Sequence, residues 1–329
     1  MTLSYSLRLL SLCFASFFLV HAAAGMAVWF AERPAVRFAE RIRARSAARL
    51  FFWMRAFPAG IAVVFVLGVC TPSYVRFEPN TTGEEVGFAC LAMAFLGALI
   101  CAVAAGRGIR AVIQSTRFAH LCRRAGSVVH LSGKPSEMFV IQGPRPFLVQ
   151  SGVFRPHFAI SERLLNEFSP AELDAALGHE RAHWLSRDNL KRLLVVFLPG
   201  LVPFWKGFDP IERAWAKFAE RAADDVVSAG GASFAVSLAA ALVRLARMRG
   251  SVEPTFSAPR VASSLGGSDD LCGRVERLLA PIPSVEAEAA SHGPVFWGIG
   301  TFLTVSCLAA LASPALQAAA HELLERLLH

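Results

Sequence analysis

Four apolar runs of bilayer length dominate the sequence and leave it few folds to choose from. Leu9 to Phe30 is the first, Phe57 to Cys70 (reaching back toward Leu50) the second, Val86 to Ala105 the third and Val295 to Ala312 the last. A helix needs about 20 apolar residues to cross a bilayer core. Inside that core every backbone polar group must bond within its own segment, which selects helices. About four transmembrane helices are therefore expected. Composition agrees, with 54% of the 329 residues hydrophobic, 18% charged and a mean hydropathy of +0.47. Soluble domains carry roughly a quarter charged residues.

The charges between the runs set an orientation. Only Arg8 precedes the first run, whereas Arg33, Arg37, Arg41, Arg43, Arg45, Arg49 and Arg55 follow it, offset by Glu32 and Glu40 alone. By the positive-inside rule, 31–55 is a basic cytoplasmic loop and the N-terminus lies outside. Ala22-Ala23-Ala24 resembles a cleavage site, but a cleaved signal needs the opposite charge bias and an apolar run that stops there. Thr71 to Glu85 holds Arg76 against Glu78, Glu84 and Glu85 and reads as external. Arg107, Arg110, Arg117, Arg123, Arg124 and Lys134, with no acid before Glu137, bring the chain back inside. The net charge of +8 thus belongs to membrane flanks, with the lipid bilayer as partner and no direct nucleic acid. The seven cysteines include no CxxC pair, so neither a disulfide framework nor a thiolate zinc site is expected.

Between the third and fourth runs the pattern changes. Residues 128–131, 138–141, 146–149 and 157–160 are short β-prone runs separated by Gly and Pro, which predicts a small sheet. Ser161 to Phe168 follows as a short helix. Ser169-Pro170-Ala171-Glu172 then combines an N-cap serine, a first-turn proline and a capping-box glutamate, predicting a helix to about Asp188. Leu190 to Trp205 is apolar but broken by Pro199 and Pro203 and short for a span, so a re-entrant or interfacial hairpin is expected. Helices over 211–229, 234–249 and 271–279 follow, with a Gly/Ser/Pro-rich loop over 251–270.

The capped helix contains His179-Glu180-Arg181-Ala182-His183, an H-E-x-x-H pattern. Residues four apart share a helix face, so both imidazoles can reach one metal ion. The intervening carboxylate, Glu180, can take a proton from a metal-bound water. A catalytic zinc usually has three protein ligands, and Glu220 on a later helix is the choice for the third. Asp224, one turn on, can accept a hydrogen bond from a liganding imidazole and fix its tautomer. Asp225 is expected to pair with nearby arginines, and Asp188 to be a helix-end or arginine-pairing residue. Tyr5 and Tyr74, the two tyrosines, lie on the far side of the membrane. Some other residue, such as an arginine or His157, would have to stabilise an oxyanion. The strand at Phe158-Ala159-Ile160 is expected to offer its edge to an extended substrate.

These residues carry a family likeness. HERAH followed by Arg187-Asp188, an apolar hairpin and Glu220-x-x-x-Asp224 resembles the gluzincin membrane peptidases, with the nearest likeness to BlaR/MecR-type integral-membrane metallopeptidases. Gly143-x-x-Pro146, the ERAADD segment at 220–225 and Arg274-Val275-Glu276-Arg277-Leu278-Leu279 extend it over about residues 86–280. The resemblance implies His179, His183 and Glu220 as zinc ligands, Glu180 as general base and Asp224 as the supporting carboxylate. Relatives often carry an aliphatic residue at Arg181 and a cysteine at Ala223. Antibiotic receptors of that type add a large external penicillin-binding domain after the last span, and β-lactam sensing through such a domain is not expected here.

The fold expected is a mainly α membrane protein, with about four transmembrane helices around a cytoplasmic α+β zincin-like (minigluzincin) domain. The division is 1–110 for three spans, 111–290 for the zinc peptidase domain with its hairpin at 190–205, and 291–329 for the last span and a short outer tail. The function expected is a Zn2+ endopeptidase in a bacterial inner membrane, its active site cytoplasmic and both termini outside. The likeness implies a regulatory protein as substrate, such as a transcriptional repressor or the chain itself. A non-catalytic signalling subunit that keeps the fold stands as the alternative. Oligomeric state is not legible.

Overall fold

The computed structural model describes residues 4–78, 86–129, 138–143, 145–152, 157–201, 207–249, 263–265, 270–280 and 322. The expected last span, the outer tail and the linker before them lie outside these residues, as does most of 251–270. Helix α1 runs Tyr5–Ala39 and α2 Ala44–Phe65. The latter continues through a π-helical turn, Val66–Cys70, into α3, Thr71–Phe77; α4 runs Phe88–Ala125. Three helices here, Tyr5–Ala39, Ala44–Phe77 and Phe88–Ala125, are long and apolar enough to cross a membrane.

The basic stretch 31–55 is not the loop its charge suggested. It forms the ends of α1 and α2, joined by a short turn after Ala39. Arginine and alanine are good helix formers, so the helices continue once they leave the apolar layer. For the same reason α4 runs twenty residues past Ala105, to Ala125. Thr71–Phe77, read as the start of an external loop, is also helical, with Pro72 in the first turn where its missing N–H costs nothing.

The sheet has the order β1-β2-β4-β3-β5, with β1 Gly126–Val129, β2 Met138–Ile141, β3 Leu148–Ser151, β4 His157–Ser161 and β5 Ser263–Ser264. β2 and β4 pair in parallel; the other pairs are antiparallel. This corrects the expectation about the substrate edge. β4 is bonded to β2 on one side and β3 on the other, so Phe158-Ala159-Ile160 has no free edge. The antiparallel return of β3 onto β4 is a long-range pairing that a local run of β-prone residues does not encode.

Helix α5 spans Glu162–Glu167 and α6 Pro170–Leu185, and the predicted capping box is formed. Ser169 Oγ accepts from Glu172 N at 3.2 Å, and Ser169 N donates to Glu172 Oε2 at 2.7 Å. Such caps contribute about 1 kcal/mol. Helix α7 covers Asp188–Phe197, α8 Asp209–Ser228, α9 Ala232–Arg249 and α10 Leu271–Leu279. At ten residues α7 is too short to cross a bilayer.

Two apolar clusters hold α6 and α8 in place. One joins the sheet to α6 and α9 through Leu148, Ile160, Leu164, Ala176, Leu238 and Leu242. The other joins α8 to the first two spans, with Ile211, Trp215 and Phe218 packed among Val28, Ala47 and Phe51. A polar clasp closes the same junction. Arg55 NH2 and Arg107 NH2 both donate to the Leu198 carbonyl, at 3.1 and 2.8 Å. His21 Nε2 donates to the Gly200 carbonyl at 3.0 Å, and Arg55 Nε donates to Glu212 Oε1 at 2.7 Å. These carbonyls follow the end of α7, where a helix leaves its last acceptors unsatisfied. One side chain from each of three spans therefore meets this segment.

Candidate metal centre

Helix α6 buries its whole motif. His179 and Glu180 are 0% exposed and His183 is 1% exposed. The i, i+4 spacing brings the two imidazoles together, with their Nε2 atoms 3.2 Å apart and rings nearly perpendicular at 83°. Helix α8 delivers Glu220 to the same point. Its Oε2 lies 3.3 Å from His179 Nε2, and its Oε1 lies 3.6 Å from His183 Nε2. These three residues form a buried group able to hold a metal ion. Tetrahedral ligands about 2.1 Å from zinc stand about 3.4 Å from one another. The spacing fits, and two imidazoles with one carboxylate is a donor set suited to that ion. Both carboxylate oxygens of Glu180, buried beside the cluster, lack a hydrogen-bond partner among the described residues. An orphaned pair of this kind is costly unless something else is meant to bind there.

The outer nitrogens are held as well. His179 Nδ1 lies 3.0 Å from Asp224 Oδ1, one turn beyond Glu220 on α8. His183 Nδ1 donates to Asp188 Oδ2 at 2.8 Å. The second contact puts the ring proton of His183 on Nδ1 and turns its Nε2 lone pair toward the cluster. The first sets a carboxylate beside His179 Nδ1 without the alignment of a hydrogen bond. The second contact depends on a backbone detail: α6 ends at Leu185, and Arg187 takes a left-handed conformation, φ 54°. That turn swings Asp188, the first residue of α7, back over the imidazole five residues earlier. Asp188 thus differs from its sequence reading. It starts a helix, but its partners are His183 and, at 2.8 Å, Lys191.

Among the described residues, arginines complete the shell, with Arg277 NH2 3.6 Å from Asp224 Oδ2 at its outer side. Arg274, on α10, is 3% exposed and donates to both oxygens of Asp224, at 2.8 and 2.7 Å, with NH1 3.0 Å from Glu220 Oε2. Arg192, on α7, brings NH2 to 3.5 Å from Glu220 Oε1. Asp225 is paired outward with Arg277 at 2.9 Å. In the sequence Arg274 stands within the family likeness with no role attached, and Arg192 and the Asp188–His183 contact carry no local signal of their place here, save one. That one is Asp188 itself, an acid opening the helix that follows H-E-x-x-H. Tyr5 and Tyr74 pack on each other with ring centroids 5.0 Å apart, and His157 stands edge-on to Phe139. None of the three joins the cluster.

The charges are strongly coupled. Burial pushes the Glu180 carboxyl above its ordinary range. Burial also acts to raise Glu220, but the two imidazoles outweigh it and hold Glu220 well below the usual carboxylate range. Burial opposes protonation of His183, yet Glu220 and Asp188 prevail and push it up to about 10. His179 is raised too, by Asp224 and Glu220 against the same burial penalty.

An H-E-x-x-H helix and a carboxylate from a second helix, with a buried glutamate between the histidines, make up the arrangement of a metallopeptidase centre, packed here against membrane-length helices. The comparisons agree, and the chain belongs to Peptidase family M48, whose pattern matches residues 115–294. A protein described as "Protease HtpX homolog", from Archaeoglobus fulgidus (strain ATCC 49558 / DSM 4304 / JCM 9628 / NBRC 100126 / VC-16), is 34% identical over 79 residues. That stretch is 24% of this chain, and the chain covers 23% of the relative's length. The membrane metallopeptidase part of the sequence resemblance stands on the family match; the narrower BlaR/MecR-type likeness does not follow from it.

Proposed function

We propose that this chain is an integral-membrane zinc endopeptidase that cuts a regulatory or membrane-associated protein, with its active site on the cytoplasmic face. The observation that carries the reading is the buried convergence of His179, His183 and Glu220 with the unpartnered Glu180 carboxylate beside them. The M48 match and the relative described as a protease support peptide hydrolysis. The arginines flanking the spans support the cytoplasmic address, and the BlaR/MecR-type likeness supports a signalling substrate such as a repressor.

His179, His183 and Glu220 would hold the ion, which supplies Lewis acidity and an acidified water when bound. Asp188 keeps the His183 imidazole in the tautomer that leaves Nε2 free, and Asp224 sets a negative charge beside His179 Nδ1. Glu180 takes a proton from the attacking water and returns it to the leaving amine nitrogen, a role for which a raised carboxyl pKa is suited. Arg274 neutralises Glu220 and Asp224 from behind, so that two buried carboxylates can share one site.

The reading is tested with purified full-length protein and a Glu180→Gln variant. Near one zinc per chain is expected in both, with protein fragments that accumulate only in cells carrying the wild type. Protein without stoichiometric zinc would sink the proposal. Identical proteomes with zinc retained would favour the non-catalytic signalling subunit.

A further inference from the structure

A site of this type needs one more group, a donor for the negative charge that develops on the scissile carbonyl oxygen. We propose that Arg192 is that donor; the assignment rests on the peptidase reading and adds a residue to it. Four observations lead there. The two tyrosines and His157 are spent elsewhere in the fold, as described above. Of the two described arginines that reach Glu220, Arg274 is committed: its Nε and NH2 bind Asp224, its NH1 faces Glu220, and its side chain is 3% exposed. Arg192 approaches the other oxygen of the same carboxylate, and its side chain is 20% exposed, against 0–6% for the histidines and Glu220. It is therefore the most solvent-reached of the described groups that touch Glu220. Finally, Arg192 Nε is a buried donor with no hydrogen-bond partner among the described residues.

Arg192 is also held in place. Its guanidinium lies over the Trp215 ring, 5.7 Å from the centroid, and it sits one turn after Asp188 on the helix whose start is tied to His183. A planar fork fixed in this way can meet an oxyanion with little reorganisation, which a flexible lysine cannot. In the step concerned, the water oxygen bonds to the carbonyl carbon, the carbonyl π pair moves onto oxygen, and the water proton passes to Glu180. The charge on that oxygen is what Arg192 receives. On collapse the C=O bond re-forms, the C–N bond breaks, and Glu180 returns the proton to nitrogen. Peptide and water have become acid and amine.

The test uses zinc-loaded full-length protein in detergent and two binding probes. One is a phosphinic pseudo-tripeptide with a tetrahedral anionic group in place of the amide; the other is the matching tripeptide amide, measured in a Glu180→Gln background. Arg192→Gln should weaken the phosphinic probe about 100-fold while the amide changes less than about threefold. Zinc content and Tm should stay at the wild-type values. Arg192→Lys, which keeps the charge without the fork, should lose about tenfold on the phosphinic probe. Equal losses on both probes, no loss on either, or loss of zinc would each overturn the assignment. The wild-type arm separates the two readings: a wild type that neither holds zinc nor binds the phosphinic probe overturns the peptidase reading itself.

Discussion

His183 Nδ1 donates to Asp188 Oδ2 at 2.8 Å across a turn in which Arg187 is left-handed. The imidazole and the carboxylate that supports it thus come from two helices separated by a single tight corner. Removing the carboxylate's charge while keeping its shape should weaken the ligand. Asp188→Asn is expected to lower zinc affinity about 10- to 100-fold, the usual effect of losing such a support. Competition with a calibrated chelator measures it, and an unchanged affinity would mean that Asp188 serves only the helix start.

Zinc uptake should depend on pH with a definite sign. In the metal-free chain His183 is raised to about 10 and His179 is raised as well. The ion requires both rings without their Nε2 protons, so binding expels protons and apparent affinity climbs with pH through neutrality. The same shift governs stability. A raised folded-state value contributes stability that is fully present below the unfolded value near 6.5 and is lost as pH rises toward 10. The metal-free Tm should therefore fall across that window while the zinc-loaded Tm does not. Calorimetry in buffers of different ionisation enthalpy counts the protons released.

Arg274 offers a harsher test. It is the buried cation that touches both Asp224 and Glu220, so Arg274→Met leaves these carboxylates only the two imidazoles, with Arg192 at 3.5 Å from Glu220 and Arg277 at 3.6 Å from Asp224. Breaking a buried pair by removing one partner costs about 3–5 kcal/mol. The metal-free variant should unfold at markedly lower denaturant, and zinc should restore part of the loss. Equal midpoints for variant and wild type would refute this account.

Packing between the spans is tested by two glycines. A Cβ at Gly97, on α4, would strike the backbone carbonyl of Phe14 on α1, whereas at Gly60 it would meet nothing within 4 Å. Backbone cannot retreat as a side-chain tip can. Small residues at such crossings are what let membrane helices approach. Gly97→Ala should lower the yield and thermal stability of detergent-solubilised protein, and Gly60→Ala should be neutral. Equal behaviour of the two would remove the α1–α4 contact as the cause.

Local chemistry explains what was legible in advance. The capping box at Ser169, the spacing of His179 and His183, and the short helix at 271–279 are encoded within a few residues and match the structure closely. Glu220 and Asp224 could be chosen because a third ligand had to be acidic or histidine and these stand one turn apart. Arg192 and Arg274 could not be chosen from spacing. Their approach to Glu220 is fixed by how α7 and α10 dock on α8, and nothing local encodes docking. The Asp188 contact was hidden for another reason: an arginine in the left-handed region is uncommon, so the natural expectation was a helix running on to Asp188. Charge counting similarly overstated a loop at 31–55, because it marks which residues avoid lipid and is silent on whether they stay helical.

The M48 match begins at residue 115, after most of the membrane-length helices, yet folding does not divide there. The face of α8 opposite Glu220 is apolar, and Val28, Ala47 and Phe51 of the spans cover it. The carbonyls beyond α7 take their donors from His21, Arg55 and Arg107. A chain started at 115 would carry every ligand and still lack the surface that fixes α7 and α8 relative to α6. In this molecule the ends of the membrane-length helices act as the missing wall of the metal site's core, and a unit that keeps that wall also keeps apolar helices that need a bilayer or its substitute.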